Sequence, residues 1–301
     1  MANLEGLRGC GTALITPFQS DGSLDQKALA SLVGWQIQEG IHFLVPCGTT
    51  GESPTLKHDE HLAVVDITVR TAAKRVPVIA GAGGNDTAKI ISLIAELRKL
   101  GVDGILSVSP YYNKPTQEGI YQHFRALAES TDLPIIVYNV PGRTGSNILP
   151  ETLLRLAQIP NIAGVKEASG DISQIGEICT KAPARFRVLS GDDSLTLPVI
   201  ALGGHGIISV ASNETPGMMS KFAAACFEGR WDEARDWNRK LYPLMKINFV
   251  ETSPIPVKAA LAMMGRIEEV YRLPMVKISD GARAKVAAVL SGLGLISGTK
   301  G

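Results

Sequence analysis

Lys166 closes a short apolar run, Asn161-Ile162-Ala163-Gly164-Val165-Lys166, and the apolar run before it closes on Tyr138. An amine that leaves a buried strand at its carboxyl end, within reach of a phenol from the next strand, is the arrangement a Schiff-base enzyme needs. Desolvation lowers the amine pKa and frees its lone pair, while the hydroxyl relays protons. The alternative is a strand-end lysine with its head in water, as most lysines sit. The residues that end the other apolar runs decide between the two. Gly48-Thr49-Thr50-Gly51-Glu52 follows the second run and sets two hydroxyls between glycines beside open backbone N–H groups. That composition suits a small carboxylate, and equally an ordinary turn. Ser109-Pro110-Tyr111-Tyr112-Asn113 follows the fourth run, Arg143 comes soon after Tyr138, and Ser190-Gly191-Asp192-Asp193 follows the seventh.

These residues meet only if the runs are strands pointing the same way. Eight β-rich runs bounded by Gly or Pro occur before residue 215, at 9–15, 43–46, 76–80, 104–108, 133–138, 162–166, 186–190 and 206–210. Most are continuous Val, Ile, Leu and Ala rather than alternating, which is the pattern of parallel strands buried on both faces. Between them, segments 24–39, 58–74, 86–100, 117–130, 150–158, 172–181 and 194–202 carry apolar residues at helical spacing. Asp25 and Asp86 are expected as N-caps, and Pro150 sits where a first-turn proline is tolerated. Eight strands alternating with helices predict an α/β fold, a (β/α)₈ TIM barrel, whose active site lies at the carboxyl ends of the strands. All the residues named above fall at that end.

After the eighth strand the pattern becomes helical only, at 216–228, 231–249, 256–264 and 279–290. The expected division is a barrel over 1–227 carrying the active site, and a helical C-terminal domain over 228–301 packed on it, with no flexible linker between them.

The 301 residues are 45% hydrophobic, ample for a large core, and the formal charge of +1 gives no reason to expect nucleic acid or an anionic membrane as partner. Four scattered cysteines without a Cys-x-x-Cys pair fit a reducing compartment. Met1-Ala2-Asn3-Leu4-Glu5 lacks the regions of a signal peptide, and no apolar run nears a membrane span, so a cytoplasmic protein is expected. Three motifs are set aside. Gly81-Ala82-Gly83-Gly84-Asn85-Asp86 follows a strand but carries Asp at the sixth position, which breaks the dinucleotide fingerprint. His58-Asp59-Glu60-His61 does not have the spacing of a His-Glu-x-x-His box, so no metal is expected. Asp192-Asp193 could pair for acid–base work, but a cap for the helix beginning near Ser194 is the simpler expectation.

With these residues assembled, the chain from about Gly9 to Leu293 resembles the dihydrodipicolinate synthase family, within the larger group that includes N-acetylneuraminate lyase. The motifs carrying the resemblance are Gly48-Thr49-Thr50-Gly51-Glu52-Ser53, Pro110-Tyr111-Tyr112-Asn113, Tyr138-Asn139-Val140-Pro141-Gly142-Arg143-Thr144, Val165-Lys166-Glu167-Ala168 and Ser190-Gly191-Asp192-Asp193. The resemblance implies a lyase that condenses pyruvate with aspartate 4-semialdehyde, giving 4-hydroxy-tetrahydrodipicolinate for lysine and diaminopimelate synthesis. Lys166 would form the Schiff base with pyruvate. Tyr138, Thr49 and Tyr112 would relay protons, Tyr112 reaching in from a neighbouring subunit. Thr50 would hold the pyruvate carboxylate and Arg143 that of the semialdehyde, with Gly191 and Ile208 facing the pocket through backbone groups. No cofactor is implied, and the assembly would be a homotetramer, a dimer of dimers. Family members inhibited by lysine bind it at a subunit interface, at positions matching Ser53, Pro54, His58, His61, Asn85, Lys89 and Tyr111. Lys89 replaces a glutamate of the sensitive members, so weak or absent inhibition is expected.

Two competing functions remain open from sequence. Another pyruvate-dependent aldolase, acting on sialic or sugar acids, would share the lysine and tyrosine; Tyr111, Tyr112 and Arg143 favour a short aldehyde bearing a carboxylate. A barrel that only senses a keto acid would be expected to have lost Lys166 or Tyr138, and both are present.

Overall fold

The computed structural model describes residue 4 and residues 7–297; the outer limits of the two expected domains, 1 and 301, lie outside the described residues. Eight strands, β1 (Gly9–Ala13), β2 (Phe43–Val45), β3 (Ile79–Gly81), β4 (Gly104–Val108), β5 (Ile135–Asn139), β6 (Ile162–Glu167), β7 (Arg187–Ser190) and β8 (Gly206–Ser209), pair in parallel in the order β2-β1-β8-β7-β6-β5-β4-β3. The last seam, between β2 and β3, is thinner. There Leu44 N donates to Pro77 O and Gly81 N to Pro46 O, both at 2.9 Å, and a single bridge joins Leu44 to Val78. Pro46 and Pro77 have no N–H to give and serve only as acceptors, so the ladder cannot run the full length of the seam. For the same reason β3 starts at Ile79 rather than at residue 76.

Each strand is followed by helix. These are α1 (Gln26–Gln38), α2 (His58–Ala72), α3 (Thr87–Lys99), α4 (Gln117–Glu129), a pair α5 (Pro141–Thr144) and α6 (Pro150–Leu156), α7 (Ile172–Lys181), α8 (Thr196–Ala201) and α9 (Pro216–Phe227). Asp25 caps α1 by accepting from Ala28 N, and Asp86 caps α3 by accepting from Ala88 N and Lys89 N. Pro150 occupies the first turn of α6. The alternation closes a (β/α)₈ TIM barrel followed by a C-terminal helical segment of α10 (Trp231–Ile247), α11 (Ile255–Met263) and α12 (Asp280–Gly292).

Continuous apolar strands produce two cores. One lies between the outer sheet face and the helices. The other fills the barrel with Leu7, Ala13, Phe43, Val45, Ile79, Leu106, Ile136, Tyr138, Leu189 and Ile208. Phe43 crosses the barrel above Gly11, where a Cβ would fall 2.0 Å from the ring, so only glycine fits opposite it. A smaller cluster of Ile15, Leu32, Val210, Val257 and Leu261 joins α11 to the barrel at the carboxyl ends of β1 and β8. No helix among the described residues is long and apolar enough to cross a membrane. All four cysteines are unpaired thiols.

Candidate active site

The side chains of a strand alternate, so β5 and β6 each send every second residue into the barrel. Parallel register places Tyr138 beside Lys166, and both face inward. Lys166 is only 5% exposed, and its Nζ lies 4.4 Å from the centroid of the Tyr138 ring. Burial pulls the Lys166 amine down to about 8; the negative charge of Asp193 opposes this and the positive charge of Arg143 reinforces it. Burial pushes the Tyr138 phenol up, while Arg143 and a hydrogen bond from Thr49 pull it back.

The outward-facing neighbours lock this pair. Asn139 Nδ2 reaches both oxygens of Glu167 at 3.1 Å, Ser169 N donates to Oε1 at 2.7 Å and Gln174 Nε2 to Oε2 at 3.2 Å. Asn139 also donates to Asn147 and accepts from Ile148 N. A buried carboxylate with this many donors fixes the ends of β5 and β6 relative to one another, and with them Tyr138 and Lys166. Gly191 N donates to Glu167 O at 2.7 Å, and a Cβ on Gly191 would stand 3.2 Å from Lys166 Cε. Glycine there keeps the lysine arm unobstructed.

A cavity of about 240 Å³ opens at this end of the barrel, lined by Thr49, Ser53, Tyr111, Tyr138, Arg143 and Thr144 among others. Thr49 and Thr50 lie on a single 3-10 turn, Thr49–Gly51, which the spacing of the sequence did not signal. Arg143 stands on the four-residue helix α5, and its Nη2 donates to the backbone O of Ser253, at 3.2 Å. Ile208 is buried in the barrel wall. Tyr112 differs from the rest. It is 87% exposed, has φ 72°, and does not line this cavity of its own chain.

The two aspartates separate in role. Asp192 caps the turn Asp193–Leu195 by accepting from Ser194 N, as expected. Asp193 is buried, accepts from Val210 N and Ala211 N at 3.0 Å, and sends its charge toward Lys166. Of the residues matched to an effector site, Ser53, Pro54 and Tyr111 line the cavity. His58 Nε2 instead meets Glu96 at 3.1 Å, and His61 Nε2 donates inward to Gly81 O at 2.9 Å. Asn85 accepts through its carbonyl from Asn113, and Lys89 Nζ lies 3.7 Å from Asp86. Sequence reasoning missed Asp193 as a partner of Lys166, and the cavity walls Leu106, Val108 and Val140. Inward alternation along β4 and β5 was the available signal for the walls.

The arrangement is a desolvated amine against the ring of a phenol, and that phenol, a neighbouring hydroxyl and one guanidinium line a small cavity, whose lining does not include Lys166 itself. It can form an imine with a carbonyl compound and move protons around it. Comparison with known proteins agrees. The model of the dihydrodipicolinate synthetase family matches residues 6–293. A 4-hydroxy-tetrahydrodipicolinate synthase of Koribacter versatilis (strain Ellin345) is 55% identical over 96% of this chain and 97% of its own length. The structure of dihydrodipicolinate synthase from Thermotoga maritima superposes with a TM-score of 0.94 at 48% identity, covering 96% of this chain and 99% of that one. A monomeric dihydrodipicolinate synthase variant superposes with a TM-score of 0.96 at 46% identity, covering 98% and 99% of the two chains. The same barrel, with its lysine and tyrosine at the carboxyl end and a match along nearly its whole length, makes this chain a member of the dihydrodipicolinate synthetase family.

Proposed function

We propose that this protein is a Schiff-base-forming lyase that condenses pyruvate with aspartate 4-semialdehyde to give 4-hydroxy-tetrahydrodipicolinate, the product named for its relatives. The observation carrying this reading is the in-register pair Tyr138 and Lys166, with the amine held near a pKa of about 8 by burial. The neutral amine adds to the keto carbon of pyruvate and water leaves, giving an iminium that draws electrons from the methyl group. A methyl proton then departs to the hydroxyl relay of Tyr138 and Thr49, the enamine attacks the aldehyde carbon, and the relay returns the proton to the aldehyde oxygen, which becomes the 4-hydroxyl. The amino group of the second substrate displaces Lys166 from the iminium carbon, which closes the ring and frees the enzyme.

In this reading Thr50 holds the pyruvate carboxylate, Gly191 and Ile208 offer backbone groups to the pocket, and Arg143 pairs with the carboxylate of the semialdehyde. A cavity of about 240 Å³ with a guanidinium at its rim suits a short acidic aldehyde better than a long polyol. Tyr112 completes the relay in a neighbouring copy, within a homotetramer built as a dimer of dimers; its 87% exposure on a single chain supports this. The residues after 227 serve as a helical C-terminal domain of the same enzyme, and its place of work is the cytoplasm. The test is borohydride reduction in the presence of pyruvate, followed by peptide mapping, with aspartate semialdehyde offered to unreduced enzyme. A reduced pyruvate on the peptide of Lys166, with turnover of the aldehyde, is expected. An adduct on another lysine overturns the assignment.

A further inference from the structure

Between Cys47 and Glu52 the chain makes a tight excursion that holds both threonines of the site. Neither Cys47 nor Glu52 is glycine, yet both have left-handed backbones, with φ 56° and 52°. Such conformations persist where the surroundings impose them. At Glu52 those surroundings come from the far end of the chain. The Glu52 carboxylate is bound by Lys258 Nζ of α11 at 2.5 Å, and the two side chains are 2% and 0% exposed. Arg272 N approaches the other carboxylate oxygen at 3.4 Å. The Arg272 guanidinium then secures the same loop from outside, donating to Thr55 O, to Gly22 O and to both oxygens of Glu60. Thr16 Oγ1 donates to Gly51 O at 2.6 Å from the barrel side. Lys258 stands 4.4 Å from the centroid of the Phe18 ring, and the flanking Val257 and Leu261 are buried against Ile15, Leu32 and Val210.

A fully buried ion pair is a poor way to gain stability, because desolvating two charges offsets their attraction; an apolar pair of similar volume does as well or better. Its distinctive property is direction: it fixes two groups at one distance and angle. We infer that Lys258 and Glu52 are positioning residues through which the C-terminal helical segment sets the turn of Thr49 and Thr50 against Tyr138. This rests on the reaction proposed above. Neither residue lines the cavity. Their effect passes through Thr49, which hydrogen-bonds the Tyr138 phenol.

The test compares wild type, Glu52→Gln, Lys258→Met and the double variant by thermal unfolding, kcat, and the yield of the borohydride-trapped pyruvate adduct on Lys166. Each single variant leaves one buried charge unpaired and is expected to unfold at lower temperature. The double variant removes both charges and is expected to unfold near the wild-type temperature and to trap pyruvate in full. Its kcat is expected to stay at least about tenfold low, since an ill-placed hydroxyl no longer relays protons. A double variant that regains both stability and wild-type kcat overturns the inference, because the pair then serves structure alone. If the double variant does not fold, Glu52→Asp decides the question: it keeps the charge but shortens the arm by one methylene, and wild-type kcat in that variant likewise overturns the inference. Wild-type protein that traps no pyruvate on Lys166 would overturn the proposed reaction itself, an outcome distinct from failure of the clamp.

Discussion

Tyr138 and Lys166 are direct partners across the β5–β6 seam, and the lysine amine lies 4.4 Å from the centre of the tyrosine ring. Everything proposed for the site depends on that adjacency, because a single residue of register slip would turn either side chain out of the barrel.

The first expectation concerns pH. Burial lowers the Lys166 amine from 10.5 to about 8. At pH 7 that leaves ~10% of the enzyme with a neutral, nucleophilic amine, against ~0.03% for an unperturbed lysine. The rate of pyruvate trapping by borohydride should therefore rise as pH increases toward 8 and level off above it. Asp193 holds the amine pKa up, so Asp193→Asn, which can still accept from Val210 N and Ala211 N, should move the midpoint to lower pH. A midpoint near 10.5 would mean that the reacting amine is in water.

Tyr138→Phe keeps the ring that packs beside Lys166 and removes only the hydroxyl. Loss of a positioned proton donor typically costs about 10²- to 10⁴-fold. We expect kcat to fall within that range while the pyruvate adduct on Lys166 still forms. Mass mapping of the reduced protein alongside steady-state rates separates the two effects; loss of the adduct as well would place Tyr138 in the first step rather than in proton transfer.

Much of this was legible in the sequence, for identifiable reasons. Strands buried on both faces read as unbroken apolar runs, so all eight were found, and Lys166 and Tyr138 stood out as polar residues at their ends. Asp25 and Asp86 disclosed their helix starts through short-range capping chemistry. What stayed hidden was geometry set by distant contacts. The 3-10 turn at Thr49–Gly51 and the left-handed Glu52 depend on Lys258, which is 206 positions away. One sign of that contact was present, since Lys258 is the single charge in the apolar helix Ile255–Met263, and a charge there needs a buried partner. The division of labour between Asp192 and Asp193 was similarly out of reach, because both are equally good caps until the β8 loop arrives to bond one of them.

Tyr112 yields a prediction about assembly. Tyr112 is 87% exposed, has φ 72° and lies outside the cavity of its own chain, so any part it takes in proton transfer must be in the site of a neighbouring copy. Tyr112→Phe should lose most of kcat. Mixing it with Lys166→Ala should recover part of the activity, since mixed dimers pair one intact lysine with one intact tyrosine. Full activity in an isolated monomer, measured by sedimentation under assay conditions, would show that the site is complete in one chain.

Arg143 is expected to act on the second substrate alone. It sits on α5 at the cavity rim, tied to Ser253 O of the C-terminal segment. Arg143→Ala should raise KM for aspartate semialdehyde far more than KM for pyruvate and leave the adduct intact. Equal damage to both would point to a structural loss, since a contact made with one substrate cannot weaken the other to the same degree.

The last prediction concerns feedback by free lysine. By the resemblance drawn from the sequence, Lys89 falls where lysine-sensitive members of the family would carry a glutamate; its Nζ lies 3.7 Å from Asp86, with 85% of the side chain exposed. Asp86 is the obvious substitute carboxylate, but its Oδ1 is already committed to capping α3 and its Oδ2 to Lys89. The neighbouring histidines are engaged as well, His58 with Glu96 and His61 with Gly81 O. An incoming ammonium therefore meets a cation in place of an anion. Two unit charges about 4 Å apart at an effective dielectric near 20 interact by about 4 kcal/mol, before solvent screening reduces the figure. For a side chain this exposed the interaction is closer to the value in water, about 1 kcal/mol, so reversing its sign costs about 2 kcal/mol and, at about 1.4 kcal/mol per decade, weakens binding by at least about tenfold. Initial rates across a lysine titration should show little inhibition in the millimolar range, and Lys89→Glu should introduce it; half-inhibition of the wild type well below millimolar would refute the charge argument.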